Sequence, residues 1–137
     1  MGQRRNPGFL RHECQHERAE MIQLKRVYDR PAVRDGVRVL VERLWPRGVR
    51  KEGLVMDSWL KDAGPSNELR QWFAHDPAKW DKFKAKYFAE LNSRPDSWEP
   101  ILQSAGHRTV TLLYSSRDTQ HNNAVALKQY LERKLTR

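Results

Sequence analysis

The chain of 137 residues has the size of one domain, and its 26 Lys and Arg against 17 Asp and Glu give a net charge of +9. An apolar fraction of 38% with five Trp, four Tyr and four Phe fills a core, which excludes a disordered chain. No apolar run approaches the ~18 residues of a membrane span, and the single cysteine, Cys14, excludes a disulfide framework and a Cys-based structural zinc site.

Residues 1–20 carry four Arg, three Glu and two His with no usable periodicity, and they read as a flexible extension from an upstream start. They contain no apolar stretch of the kind a secretory signal needs, so a reducing, cytoplasmic setting is expected. His12, Cys14 and His16 form the alternative there, a metal cluster that would have to order a floppy tail. The tail holds only one unit of net charge, so +8 belongs to residues 21–137, which read as one domain.

From Met21 the elements follow in order. Ile22, Leu24 and Val27 suggest a first strand, ended by Asp29-Arg30-Pro31. After the turn dipeptide Asp35-Gly36, residues 37–44 read as a second strand, its Val39-Leu40-Val41 centre apolar enough to be covered on both faces. Pro46 and Gly48 stop it. Residues 54–60 are ambiguous between a short strand and a helical turn. Ser66 is a helix N-cap after Pro65, and Asp76-Pro77 is a second start. Behind it, Trp80, Phe83, Tyr87, Phe88 and Leu91 fall on one helix face. Lys79, Lys82, Lys84 and Lys86 take the other side, as a solvated face or a nucleic-acid stripe. Ser97 is the expected cap of a shorter helix, with Trp98, Ile101, Leu102 and Ala105 inward and Gly106 as the stop. Residues 109–114 are the second strong strand, and a last helix over 122–134 packs through Ala124, Leu127 and Leu131. Strands separated by helices predict an α/β single domain, a largely parallel sheet flanked by helices.

In such sheets ligands bind outside the carboxyl ends of the strands. Two segments lie there, Glu42-Arg43-Leu44-Trp45-Pro46-Arg47-Gly48 and the stretch from Tyr114 to Asn123. The second leads into a helix N-terminus, whose free N–H groups suit a phosphate or carboxylate. Arg43 and Arg47 are candidates to clamp that anion, or else to tie loops together through carbonyls and Asp. Trp45 is a stacking platform or a packed indole. Tyr114, Ser115 and Asn122 complete the candidate ligand contacts, and Lys61 either reaches the same rim or is solvated. His121 is the candidate acid or base, with Asp118 orienting it or capping the last helix. His75 reads as a loop residue beside the Asp76 cap. Ser115 or Ser116 with His121 and Asp118 lack the strained elbow of a nucleophilic triad. Neither a Walker loop nor a G-x-G-x-x-G fingerprint is present, and no tight His/Asp/Glu cluster marks the domain, so no cofactor and no metal are expected.

The segments RVLVERLWPRGVRKE, WLKDAGPSNELRQWFAHDPAKW and VTLLYSSRDTQHNNAVALKQYL resemble the YeaO-like branch of the bacterial domain-of-unknown-function 488 family. The resemblance covers nearly all of residues 21–137 and implies an α/β fold. Its characteristic positions fall on Arg43, Trp45, Pro46, Arg47 and Gly48, on Trp59, Lys61, Pro65, Ser66, Leu69, Trp72, Phe73, His75 and Asp76, and on Tyr114, Asp118, His121 and Asn122. Other branches look to carry a Cys-His-Arg signature near the last motif. This chain reads Gln120-His121-Asn122 there, so thiol chemistry is unsupported.

Two functions follow as expectations. One is a pocket domain that binds or acts on a small anionic ligand, phosphate-containing and of the nucleotide or sugar-phosphate kind. The other is a basic nucleic-acid-binding module without catalytic activity, resting on the charge and on basic residues interleaved with Trp and Tyr.

Overall fold

The computed structural model describes residues 21–135. The expected flexible extension over 1–20 and the His12, Cys14 and His16 cluster lie outside the described residues. Strands β1 (Ile22–Arg26), β2 (Val37–Leu40), β3 (Ser58–Trp59) and β4 (Val110–Tyr114) form one sheet in the order β1-β4-β2-β3, every pair parallel. Helices α1 (Asn67–Phe73), α2 (Trp80–Ser93), α3 (Glu99–Ala105) and α4 (Asn123–Leu135) complete a single α/β domain. β4 takes a central place and all five of its residues are buried, as its near-continuous apolar run requires.

The sheet is covered differently on its two faces. Ile22, Val39, Val110 and Leu112 join one large core with the apolar stripes of all four helices, among them Phe83, Tyr87, Ile101, Leu127 and Leu131. The alternate residues Leu40 and Leu113 face the other way, into a small cluster with Val27 and Leu54. That cluster is closed by Trp45, Val49, Met56 and Trp59, which come from loop and edge strand rather than helix. The cause is visible in the chain. Residues 27–57 lack a 3.6-residue apolar period and are broken by Pro31, Gly36, Pro46, Gly48 and Gly53.

At the amino end of the loop-covered face, the buried Asp35 carboxylate sits between Lys25 Nζ, at 2.9 Å, and the buried Arg38 guanidinium. Gly36 follows with φ of 66°, and a Cβ there would lie 2.2 Å from the Thr109 carbonyl oxygen. Only glycine lets β2 start this close to β4.

The helix starts follow their capping residues. Ser66 Oγ accepts from Leu69 N (3.1 Å) and donates to Glu90 Oε2 (2.6 Å), which ties the start of α1 to α2. Asp76 accepts from Ala78 N (3.0 Å) and opens a 3-10 turn, Pro77–Lys79, that runs into α2. Two local expectations are corrected, and an open one is resolved. The second strand ends at Leu40 rather than residue 44: Val41 N still donates to the Leu113 carbonyl (3.3 Å), but at residue 42 it is the side-chain carboxylate that takes the Ser115 N–H. Ser97 caps nothing: its hydroxyl donates to the Arg94 carbonyl (2.7 Å), and α3 starts after Trp98. The ambiguous stretch 54–60 holds a two-residue edge strand. Among the described residues no helix is long and apolar enough to cross a membrane.

Candidate functional site

Beyond the carboxyl ends of β2 and β4, the two polar loops and the end of α1 enclose a cavity of about 330 Å³. Glu42 and Ser115 staple the loops to each other: the carboxylate accepts from Ser115 N (2.9 Å) and from its Oγ (2.7 Å). Arg26 adds a second tie from β1, donating to the carbonyls of Ser116 (2.9 Å) and Ser115 (3.1 Å). Tyr28 donates its hydroxyl to the Arg47 carbonyl (3.1 Å), which fixes the loop after β2 against the end of β1.

Of the expected site residues, Arg43, Trp45, Arg47, Ser115 and Asn122 line this cavity. Arg43 is largely committed to the protein. Its Nε donates to the Pro65 carbonyl (2.9 Å), Nη2 to Gly64 (3.2 Å) and Nη1 to Asp62 (3.2 Å). Gly64 is what lets that loop approach, since a Cβ would sit 2.9 Å from Arg43 N. Trp45 donates Nε1 to the Val49 carbonyl (2.6 Å) and meets Trp59 edge-on at 5.2 Å, so its indole belongs partly to the second core cluster. Arg47 is exposed, and among the described residues its guanidinium has no partner. Asn122 caps α4 by accepting from Val125 N (3.0 Å) and donates to the Asp118 carbonyl (2.8 Å).

The remaining four stand elsewhere. Tyr114 ends β4 inside the large core, where burial pushes its hydroxyl pKa up. Lys61 lies with Asp62 and Asp96 on a separate cleft, its ammonium 4.5 Å from the Trp59 ring centre. His121 and Asp118 form a pair outside the cavity lining, Nδ1 to Oδ2 at 3.0 Å, with the imidazole edge-on to Trp80 at 5.3 Å. Asp118 does not cap α4, which Asn122 does. It closes the preceding turn, and the N–H groups of Gln120 and His121 hold its carboxyl below the usual range, with the His121 ring helping.

The structure brings in residues that sequence reasoning left out. Arg70 and His75 reach the cavity from α1 and the turn after it, and Phe73 and Phe83 give it an apolar floor. The sequence marks His75 as a loop residue beside the Asp76 cap, and from that turn it lines the cavity. The signal for Arg70 was present but unspecific, a cation on the turn of a helix whose neighbours Leu69 and Phe73 are buried. The lining thus holds Arg43, Arg47, Arg70 and His75 against the single carboxylate of Glu42, whose two oxygens are already taken by Ser115. Three guanidiniums against one carboxylate leave this lining net positive. Among the described residues no three His, Cys, Asp or Glu side chains gather as a metal-binding group.

Residues 21–137 match the family described as the inactive DUF488-N3 subclade. The uncharacterized protein YeaO of Escherichia coli (strain K12) is 41% identical over 110 residues, 80% of this chain and 96% of that one. The uncharacterized proteins Mb3100c of Mycobacterium bovis and Rv3073c of Mycobacterium tuberculosis are each 36% identical over 114 residues, 83% of this chain and 96% of theirs. No solved structure matches. With residues 21–137 matched by that family and 41% identity to YeaO over most of both chains, the chain belongs to the DUF488 family as a YeaO-like member.

Proposed function

We propose that this protein binds a small anionic, phosphate-bearing ligand in the cavity at the strand ends, as a cytoplasmic pocket domain over residues 21–137 with residues 1–20 as an extension. The observation that carries this reading is the lining itself, three arginines and a histidine facing one carboxylate that is already hydrogen-bonded. Its size falls within the range of ordinary ligand pockets. Binding without turnover is the form the reading takes. The matched subclade is described as inactive, and the His121–Asp118 pair, the candidate for acid–base work, does not line the cavity.

The test is thermal unfolding of the full chain with inorganic phosphate and nucleoside monophosphates. A ligand at a hundred times its Kd adds about 2.7 kcal/mol to the folded state and raises Tm. Wild type is expected to gain this shift and Arg47→Ala to lose most of it. No shift with any anion, or an equal shift in Arg47→Ala, overturns the reading.

The nucleic-acid reading rests on a different surface. Lys79 and Lys86 sit 5.0 and 5.3 Å from the Trp72 ring centre, and Lys84 lies 5.4 Å from that of Trp80. These lysines occupy the indoles a base would stack on, which places this reading second. Oligonucleotide affinity that falls steeply with salt and ignores Arg47→Ala would raise it to first.

A further inference from the structure

The turn after α1 holds two successive residues in the left-handed region, Ala74 at φ 48° and His75 at φ 59°. Neither is glycine, and such backbone is kept only where the surroundings enforce it. Its effect is to turn the chain so that His75, exposed, lines the same cavity as Arg70. Asp76, the next residue, is directed away and spends its carboxylate on the Ala78 N–H. The charged groups facing the imidazole are therefore Arg70 from α1 and Glu42, Arg43 and Arg47 from the loop after β2, while the segment after β4 contributes only neutral side chains.

Resting on the anion-binding reading above, we propose that Arg70 and His75 form a subsite for a dianionic group, a terminal phosphomonoester rather than a phosphodiester or a carboxylate. Arg43 is spent on the Asp62, Gly64 and Pro65 loop, and Glu42 on Ser115. The cations left for a guest are Arg47, which has no partner among the described residues, and Arg70, whose Nη1 donates to Asn67 Oδ1 at 3.3 Å while its other donors stay available. His75 adds a ring nitrogen to the same lining. Two guanidinium charges on one cavity match two negative charges on one group. A phosphodiester brings one charge and a substituent on each side.

Sulfate is the first probe, because it keeps both charges in solution. Its Kd for the full chain is measured by calorimetry for wild type, His75→Asn and Arg70→Gln. Asn tolerates left-handed backbone, so His75→Asn preserves the turn. Arg70→Gln is expected to weaken sulfate binding about tenfold, and His75→Asn to weaken it a few-fold. At about pH 8, where a phosphomonoester carries both charges, methyl phosphate is expected to bind about tenfold better than dimethyl phosphate or acetate. Sulfate affinity unchanged in both variants, or equal binding of mono- and dianions, overturns the subsite while leaving the cavity an anion site. Absence of binding by every anion overturns both readings.

Discussion

Ala74 pays a steric penalty for its left-handed backbone, roughly 1 kcal/mol, which glycine would not. Ala74→Gly is therefore expected to raise stability by up to about 1 kcal/mol in urea unfolding, with no loss of anion affinity, since its side chain does not line the cavity. Asp35 shows the opposite economy. Burial pushes its carboxyl pKa up, but Lys25, the Ala32 N–H and Arg38 outweigh burial and hold it below the usual carboxylate range. A depressed carboxylate contributes stability in full above its unfolded pKa of ~3.9, and that contribution is lost as pH falls through the folded value. Asp35→Asn is expected to cost about 3 kcal/mol near neutral pH, leaving two cations short of a partner, and to flatten the acid limb of the stability curve. At this scale the sequence was informative about residue type and silent about partners. Arg43 was legible as a cation at a strand end. That its donors go to carbonyls at 64 and 65 depends on a loop 21 and 22 residues further along the chain, which no local pattern encodes.

Helix α1 carries Arg70 and leads into His75, so its placement sets the geometry of the cavity. One residue, Ser66, fixes its start twice, by capping Leu69 N and by bonding Glu90 through both its hydroxyl and its N–H. Ser66→Ala keeps the N–H bond and loses the other two. It is expected to cost between about 1 and 2 kcal/mol in chemical denaturation, and to weaken phosphate binding without touching the cavity wall. Elements whose signals are local were readable: Ser66, Asp76-Pro77 and the Trp80-to-Leu91 stripe need only the chain within a few residues of themselves. Ser97 failed as a cap because a serine hydroxyl can donate backward to a carbonyl as readily as it accepts. The end of β2 and the two residues of β3 escaped for another reason. They are decided by pairing across the sheet and by Glu42 finding Ser115, contacts between segments far apart in sequence.

Across the whole molecule, the α/β class and the location of a cavity beyond the strand ends follow from alternating patterns and one topological rule. The division of labour between the two faces does not, because a loop that closes a core shows no periodicity. That division has a consequence for motion. The helix-covered face buries a large continuous cluster, whereas the other depends on Trp45, Val49, Leu54 and Met56, all on the segment 41–57. Segments with few buried contacts open locally at a fraction of the global free energy. Amide hydrogen exchange should therefore be slowest across β4, reporting only global unfolding, and faster by orders of magnitude over residues 44–57. Arg47 and Trp45, one wall of the cavity, ride on the part of the protein that breathes, while Arg70 and His75, the opposite wall, are anchored to the helical core. A bound phosphate would bridge the two, and its arrival should be recorded as slowed exchange in the first wall with almost none in the second.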